Sequence, residues 1–245
     1  MSDAVLVTGA SGSIGLATIR ALSARGCAVA TIDTQALPGT EAELVAQELT
    51  ADLSDDAAVA AAVASIEPQL RHVVAVAGGG DVDELSADDP ATEPTAVFQQ
   101  VVENNLHIAF TTIRNVVPLL READGDRSIV LVSSINAYGG YGAPGYSAAK
   151  AGLSGLAAAL ATPLGAEGIR ISCLALGTVD TENLHALEEA TRGRVLDLEA
   201  IAARAPLGRV LSPEDAASAA VAMTLDMRGL TGTTIVLDNG QTLIR

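Results

Sequence analysis

Tyr146 and Lys150 stand four residues apart in Tyr146-Ser147-Ala148-Ala149-Lys150. That spacing puts a phenol and an ammonium on one face of a helix, one turn from each other. A cation held beside a phenol favours the phenolate, so the pair is expected to lower the Tyr146 pKa from about 10 toward the working range of a general acid or base. Composition singles the pair out: of 14 basic residues, 13 are Arg and one is Lys, and that one is Lys150. This points to a role that needs a compact ammonium instead of a planar guanidinium, the alternative being a compositional accident. Upstream, Ser133 and Ser134 close an apolar run, and either hydroxyl is a candidate to bond an oxygen handled by Tyr146. Tyr138 and Tyr141 are the other phenols of the same segment.

A second constellation opens the chain. After the apolar run Val5–Val7 comes Thr8-Gly9-Ala10-Ser11-Gly12-Ser13-Ile14-Gly15, leading straight into a helical pattern. Glycines there permit a tight turn and a close backbone approach, so that a pyrophosphate can sit on free amides at the positive end of the helix. The next apolar run ends at Asp33, 18 residues beyond Gly15, where a carboxylate would accept bonds from the 2′- and 3′-hydroxyls of an adenosine ribose. The same carboxylate would repel a 2′-phosphate, and Thr34 and Gln35 supply no compensating cation, so NAD is expected over NADP.

These groups need a scaffold, and the sequence supplies one. Short β-rich runs alternate with longer Ala/Leu-rich segments, the pattern of βαβ units around a parallel sheet buried on both faces. Strands are predicted near 5–7, 28–32, 48–51, 73–76, 129–132, 170–174 and 234–237. A helix is expected from about Ile14 to Ala24, ending at Gly26 as a left-handed cap, and another from Ser212-Pro213-Glu214-Asp215, where Ser212 caps the free amides. Two segments, 78–94 and 177–206, lack periodicity and are read as long loops at the edge of the site. No repeat or linker marks a boundary, so residues 1–245 are expected to form a single domain.

Composition narrows the function. The net charge of −16 and pI near 4.4 disfavour nucleic acid and anionic lipid surfaces as partners. The mean hydropathy of +0.36 belongs to a core, because no apolar stretch reaches the roughly 18 residues of a spanning helix. The amino terminus carries no basic leader, which argues against a secreted precursor. Cys27 and Cys173 lie far apart in apolar segments, as expected in a reducing cytoplasm. His72, His107 and His185 are isolated, without the ligand spacing of a metal site.

Taken together, the segment from Thr8-Gly9 to Gly15, the Ser134/Tyr146/Lys150 set, Pro206-Leu207-Gly208-Arg209 and Asp238-Asn239-Gly240 resemble the short-chain dehydrogenase/reductase family from about Val5 to Leu243. The resemblance implies an α/β, Rossmann-like, doubly wound seven-stranded parallel sheet with helices on both faces. It further implies an NAD-dependent oxidoreductase that moves a hydride between a nicotinamide and a small-molecule alcohol or carbonyl substrate. Tyr146 would exchange the proton with the substrate oxygen and Ser134 would hydrogen-bond that oxygen. Lys150 would hold the nicotinamide ribose and depress the Tyr146 pKa. Asn105 is similar to the family's helical Asn that anchors a water relay to the lysine, with Asn104 as the one-residue alternative.

By the same resemblance Asp52 and Leu53 contact adenine, Ala77 and Gly78 lie behind the adenosine ribose, and Val179 and Thr181 hold the carboxamide. Gly9, Ser11, Gly12, Ser13, Ile14 and Gly15 form the phosphate turn. Departures are Ser13 where Gly is usual, Ala75-Val76 for the usual Asn-Asn, Leu176 for Pro and Asn239 for Gly. A homo-oligomer is expected because residues 148–164 carry Ala, Gly and Leu on more than one helical face, and the resemblance implies a dimer or tetramer. The competing functions are an epimerase or dehydratase with retained NAD and a non-catalytic dinucleotide-binding protein. The substrate would meet segments 78–94, 137–145 and 181–204. There Tyr138, Tyr141, Leu184 and Leu187 offer apolar surface, and Glu182, Asn183 and His185 offer polarity.

Overall fold

A computed structural model of the chain describes residues 4–67, 69–85, 89–139, 143–191 and 196–243. Seven strands form one all-parallel sheet in the order β3-β2-β1-β4-β5-β6-β7. The first half of the chain runs β1 (Ala4–Thr8), α1 (Ser13–Ala24), β2 (Ala28–Asp33), α2 (Gly39–Ala42), β3 (Gln47–Thr50), α3 (Asp56–Ala64) and β4 (Leu70–Ala75). It continues through α4 (Val82–Leu85), α5 (Thr95–Val102), a π turn (Glu103–His107), α6 (Ile108–Glu122) and β5 (Arg127–Ser134). The remainder is α7 (Pro144–Ala166), β6 (Ile169–Leu176), α8 (Glu182–Thr191), α9 (Leu198–Arg204), α10 (Pro213–Leu225) and β7 (Thr234–Leu237). The doubly wound parallel sheet anticipated from the sequence is therefore the fold.

Alternation along each strand explains the two cores. Leu6, Ile32, Val73, Ile129 and Ile171 face the layer of α3, α6 and α7 with Ile113, Val116, Leu120 and Leu153. Val5, Val7, Val29, Val74, Val130 and Leu174 face the opposite layer with Ile19 and Leu22 of α1 and Val221 and Met223 of α10. Each fully buried Leu, Ile or Val contributes roughly 1.5–3 kcal/mol relative to exposure, so both faces of the sheet are covered by apolar necessity. Chain order reverses at β1 and β4, which opens a crevice at the carboxyl ends of these strands.

Local signals are obeyed at most termini. α1 ends where Gly26 takes φ +75, with Cys27 N–H reaching Leu22 C=O and Gly26 N–H reaching Ser23 C=O. α10 begins with a full capping box between Ser212 and Asp215. The two segments read as long loops are a correction: 78–94 holds α4 and a 3₁₀ turn at Pro90–Thr92, and 177–206 holds α8 and α9. These helices are short and rim the crevice, so their apolar residues never build the repeated face that periodicity detects. Among the described residues, no helix is long and apolar enough to cross a membrane.

Candidate active site

One continuous cleft of about 1210 Å³ runs along the carboxyl edge of the sheet, and all seventeen candidate residues named above line it: Gly9, Ser11, Gly12, Ser13, Ile14, Gly15, Asp33, Asp52, Leu53, Ala77, Gly78, Asn105, Ser134, Tyr146, Lys150, Val179 and Thr181. At one end the β1–α1 turn is packed as tightly as glycine allows. A Cβ on Gly15 would lie 2.2 Å from the Gly9 carbonyl oxygen, and one on Gly9 would lie 2.6 Å from the Ala77 backbone. Ser13, where the family usually has Gly, is already the first residue of α1 and needs no special backbone. The helix opens at Gly12 with no side-chain cap, so its first-turn amides are left for an anion at the positive end of the dipole.

Asp33, at the end of β2, is steered by this turn. Its Oδ2 accepts from Ser11 N and Ser11 Oγ, both at 2.9 Å, and its Oδ1 accepts from Gln35 N at 3.1 Å. Asp52 is held below the usual carboxylate range by the backbone amide and hydroxyl of Ser54, and the neighbouring Leu53 is buried. With Asp33, Thr34, Gln35 and Asp52 lining this end, no described cation stands where a 2′-phosphate would. Uncapped amides for a pyrophosphate and an oriented carboxylate for ribose hydroxyls fit an adenine dinucleotide.

The opposite end holds the candidate catalytic groups. Ser133 and Ser134 separate because successive strand residues turn opposite ways. Ser133 Oγ donates to the Lys150 carbonyl at 2.9 Å, whereas Ser134 is hydrogen-bonded to Tyr146, to Asn136 Oδ1 at 3.2 Å and to Asn136 N at 3.2 Å. Lys150, 3% exposed, donates to the Val132 carbonyl at 3.1 Å and lies 5.5 Å from the centre of the Tyr146 ring. Burial pulls its pKa down to about 8.

The Tyr146 pKa is raised, not depressed as the spacing predicts. Burial pushes the phenol above its ordinary value, the bond to Ser134 pulls it back, and the charge of Glu84 raises it further. Lys150 lies against the ring, but its hydrogen bond goes to the Val132 carbonyl and not to the phenolic oxygen. Desolvation therefore wins over the ammonium.

Asn105 and Asn104 are also told apart. Asn105 is buried and clamps the backbone of Gly79, accepting from its N–H at 3.0 Å and donating to its C=O at 3.0 Å, while Asn104 is exposed. A third bond runs from Asn105 Nδ2 to the Val101 carbonyl at 2.9 Å, and none reaches Lys150. The π turn at Glu103–His107 supplies the extra residue that turns Asn105 inward.

Several residues of the site carry no local sequence signal. Glu84 is buried, accepts from the Tyr146 and Gly145 amides at the start of α7, and has its carboxyl pushed up by burial despite those bonds. Asn136 joins through Ser134, and Gln241 reaches the cleft from the carboxy-terminal segment. The acidic run Asp81-Val82-Asp83-Glu84 falls in the segment read as a long loop, and Glu84 is held inward by its bonds to the amides at the start of α7. Leu184, Leu187, Glu182 and Asn183 line the cleft as anticipated. Tyr138 does not: it is exposed and its hydroxyl meets Ser154 Oγ at 3.1 Å. His185 pairs with Asp180 at 2.6 Å, and Tyr141 lies outside the described residues.

A parallel sheet with a glycine turn at its switch point and a Ser/Tyr/Lys set across the cleft defines a dinucleotide-dependent oxidoreductase scaffold. The family model described as enoyl-(acyl carrier protein) reductase matches residues 9–242, and the chain belongs to the short-chain dehydrogenase/reductase family. It is 31% identical over 248 residues to 3-oxoacyl-[acyl-carrier-protein] reductase of Pseudomonas aeruginosa, covering 96% of this chain and 95% of that protein. It is 32% identical over 251 residues to L-rhamnose 1-dehydrogenase (NAD(P)(+)) of Azotobacter vinelandii, covering 96% and 95%. A short-chain dehydrogenase/reductase from Burkholderia thailandensis superposes with a TM-score of 0.87 at 30% identity, covering 100% of this chain and 94% of that one. The protein is accordingly an oxidoreductase whose family uses a nicotinamide dinucleotide.

Proposed function

We propose that the protein transfers a hydride between NAD(H) and a small-molecule alcohol or ketone. The observation that carries this is the meeting of Ser134, Tyr146 and Lys150 across one cleft from the Gly9–Gly15 turn and Asp33. The nicotinamide, when bound, supplies or takes the hydride. Amides of the α1 start hold the pyrophosphate, Asp33 takes the ribose hydroxyls and disfavours NADP, Asp52 and Leu53 border the adenine, and Val179 and Thr181 hold the carboxamide.

In reduction, Tyr146 donates its proton to the carbonyl oxygen while Ser134 hydrogen-bonds the same oxygen; oxidation reverses the proton. Lys150, which lies against the Tyr146 ring, would hold the nicotinamide ribose. Asn105 fixes Gly79 at the cleft wall. Residues 1–245 act as one catalytic unit. It works in the cytoplasm, a reducing compartment suited to the unoxidised side chains of Cys27 and Cys173. It works as a homo-oligomer, to which α7 offers exposed small residues Ala148, Ala151, Gly155 and Ala158.

The test combines turnover with labelling. A panel of alcohols and ketones assayed with both cofactors should give net NADH formation or loss, with kcat/KM favouring NAD(H). Stoichiometric isomerisation without net NADH would point to an epimerase instead. An amine-specific reagent has one side-chain target, Lys150. Saturating NAD⁺ should slow its modification, and activity should fall in proportion to labelling there. Full labelling of Lys150 with activity intact would remove it from the mechanism.

A further inference from the structure

The carboxy-terminal segment reaches back to the strand-like stretch after β6, and the side chain of Gln241 bonds Thr178 there. Gln241 Oε1 accepts the Thr178 N–H at 2.7 Å, and Gln241 Nε2 donates to Thr178 Oγ1 at 3.1 Å, so both ends of the amide are fixed by one residue. Gly177 leaves the space for this: a Cβ there would lie 2.4 Å from Gln241 Oε1. Gln241 is itself anchored. Its N–H donates to the Asp238 carbonyl at 3.0 Å, and the Asp238 carboxylate accepts from Gly240 N, Thr242 N and Thr242 Oγ1 at 2.9, 2.8 and 2.7 Å.

Val179 bridges Leu211 in parallel, with Leu211 N–H on the Thr178 carbonyl at 2.9 Å and Asp180 N–H on the Leu211 carbonyl at 2.8 Å. In an extended chain the amide groups of successive residues point to opposite sides. The Thr178 N–H therefore lies on the Leu211 side, where Gln241 prolongs the ladder as a peptide would. The backbone N–H and C=O of Val179 point the other way, and no described residue bonds them. Gly177, Thr178, Val179 and Gln241 all line the cleft.

We propose that Gln241 is a positioning residue for the nicotinamide end of the cleft: its amide fixes Thr178 and thereby aims the free backbone groups of Val179 at the cofactor's carboxamide. The inference rests on the nicotinamide reading of this cleft. Gln241→Leu keeps the bulk and removes both bonds, leaving the Thr178 N–H unanswered. Gln241→Glu keeps an acceptor for the N–H and a second for the Thr178 hydroxyl.

Calorimetric titration of the whole protein with NAD⁺ and, separately, with ADP-ribose, which lacks the nicotinamide, separates the possibilities. In Gln241→Leu, NAD⁺ should bind about tenfold more weakly, the cost of one or two hydrogen bonds, with ADP-ribose affinity unchanged. Gln241→Glu should restore NAD⁺ affinity to within about threefold. Equal weakening of both ligands would reveal a merely structural side chain and overturn the proposal, as would unchanged affinity for both. If the unaltered protein binds NAD⁺ no more tightly than ADP-ribose, or binds neither, the nicotinamide reading fails and takes this inference with it.

Discussion

Two cations, Lys150 buried and Arg170 partly buried, sit at opposite ends of the same pair of strands. Arg170, at the start of β6, bonds Asp126 twice, at 3.1 and 2.8 Å, and caps the end of α10 through the carbonyls of Met223, Thr224 and Met227. Burial pushes the Asp126 carboxyl up, but the Arg170 pair overrides it and holds the group below its ordinary value. Lys150, beside the far end of β5, has a carbonyl and an aromatic face but, among the described residues, no carboxylate partner, and its pKa falls to about 8. The planar guanidinium is spent on holding the fold; the ammonium is kept under-satisfied where a ligand can complete it.

The largest effect expected from breaking this contrast comes beside Lys150. Tyr146→Phe keeps the ring under the ammonium and deletes the titrating oxygen, so turnover should fall by roughly 10²–10⁴-fold with the melting temperature and NAD⁺ affinity little changed. Near-normal turnover would exclude Tyr146 as the proton carrier. At the other end, Arg170→Met leaves Asp126 without its partner and three carbonyls uncapped. Urea unfolding should show a loss of about 3–5 kcal/mol, with cofactor affinity of the folded fraction preserved. A loss under about 1 kcal/mol would mean that Arg170 is not the structural member of the comparison.

The Lys150 side of this contrast was legible in the residues; the Arg170–Asp126 pair was not. The lone Lys one turn after Tyr146, the glycine turn before α1 and the alternating apolar runs each obey a local rule, so the sheet and both ends of the cleft follow from short stretches. Glu84 and Gln241 could not be read this way, because what turns each inward is a distant element, α7 for one and the stretch after β6 for the other. Ser133 and Ser134, or Asn104 and Asn105, differ by a single step in register, which is decided by strand alternation in the first case and by the π turn in the second. The Tyr146 pKa went astray because spacing reveals the nearby ammonium but not the desolvation that outweighs it.

Smaller effects sharpen the comparison. A lysine whose folded pKa is about 8, against 10.5 unfolded, has the folded state binding fewer protons between these values, so its destabilising burial is fully present below about pH 8 and is relieved as pH rises. Lys150→Met should stabilise the protein by about 1–3 kcal/mol at neutral pH, abolish turnover and remove that alkaline gain from denaturation curves taken across the window. A neutral-pH destabilisation would show that the ammonium is better satisfied than its bonds indicate. Smallest is Glu84→Gln, which keeps an acceptor for the Tyr146 amide and deletes the charge that raises the phenol. Ultraviolet titration should find the Tyr146 pKa lower, and the alkaline fall of carbonyl reduction should move to lower pH with it. A shift upward would assign the opposite sign to Glu84.

The π turn at Glu103–His107 makes one stretch of the chain intolerant of a kind of change that surface loops absorb. α5, the turn and α6 form a continuous rod from Thr95 to Glu122, and each residue in a regular helix advances the face by about 100°. Deleting one residue there would convert the wide turn to ordinary α-helix and keep the rod intact while rotating everything on one side of it out of phase. Asn105 would leave Gly79, and Val101 would swing away from the cleft. Lineages descended from this chain can vary the identities along that rod far more freely than they can vary its length.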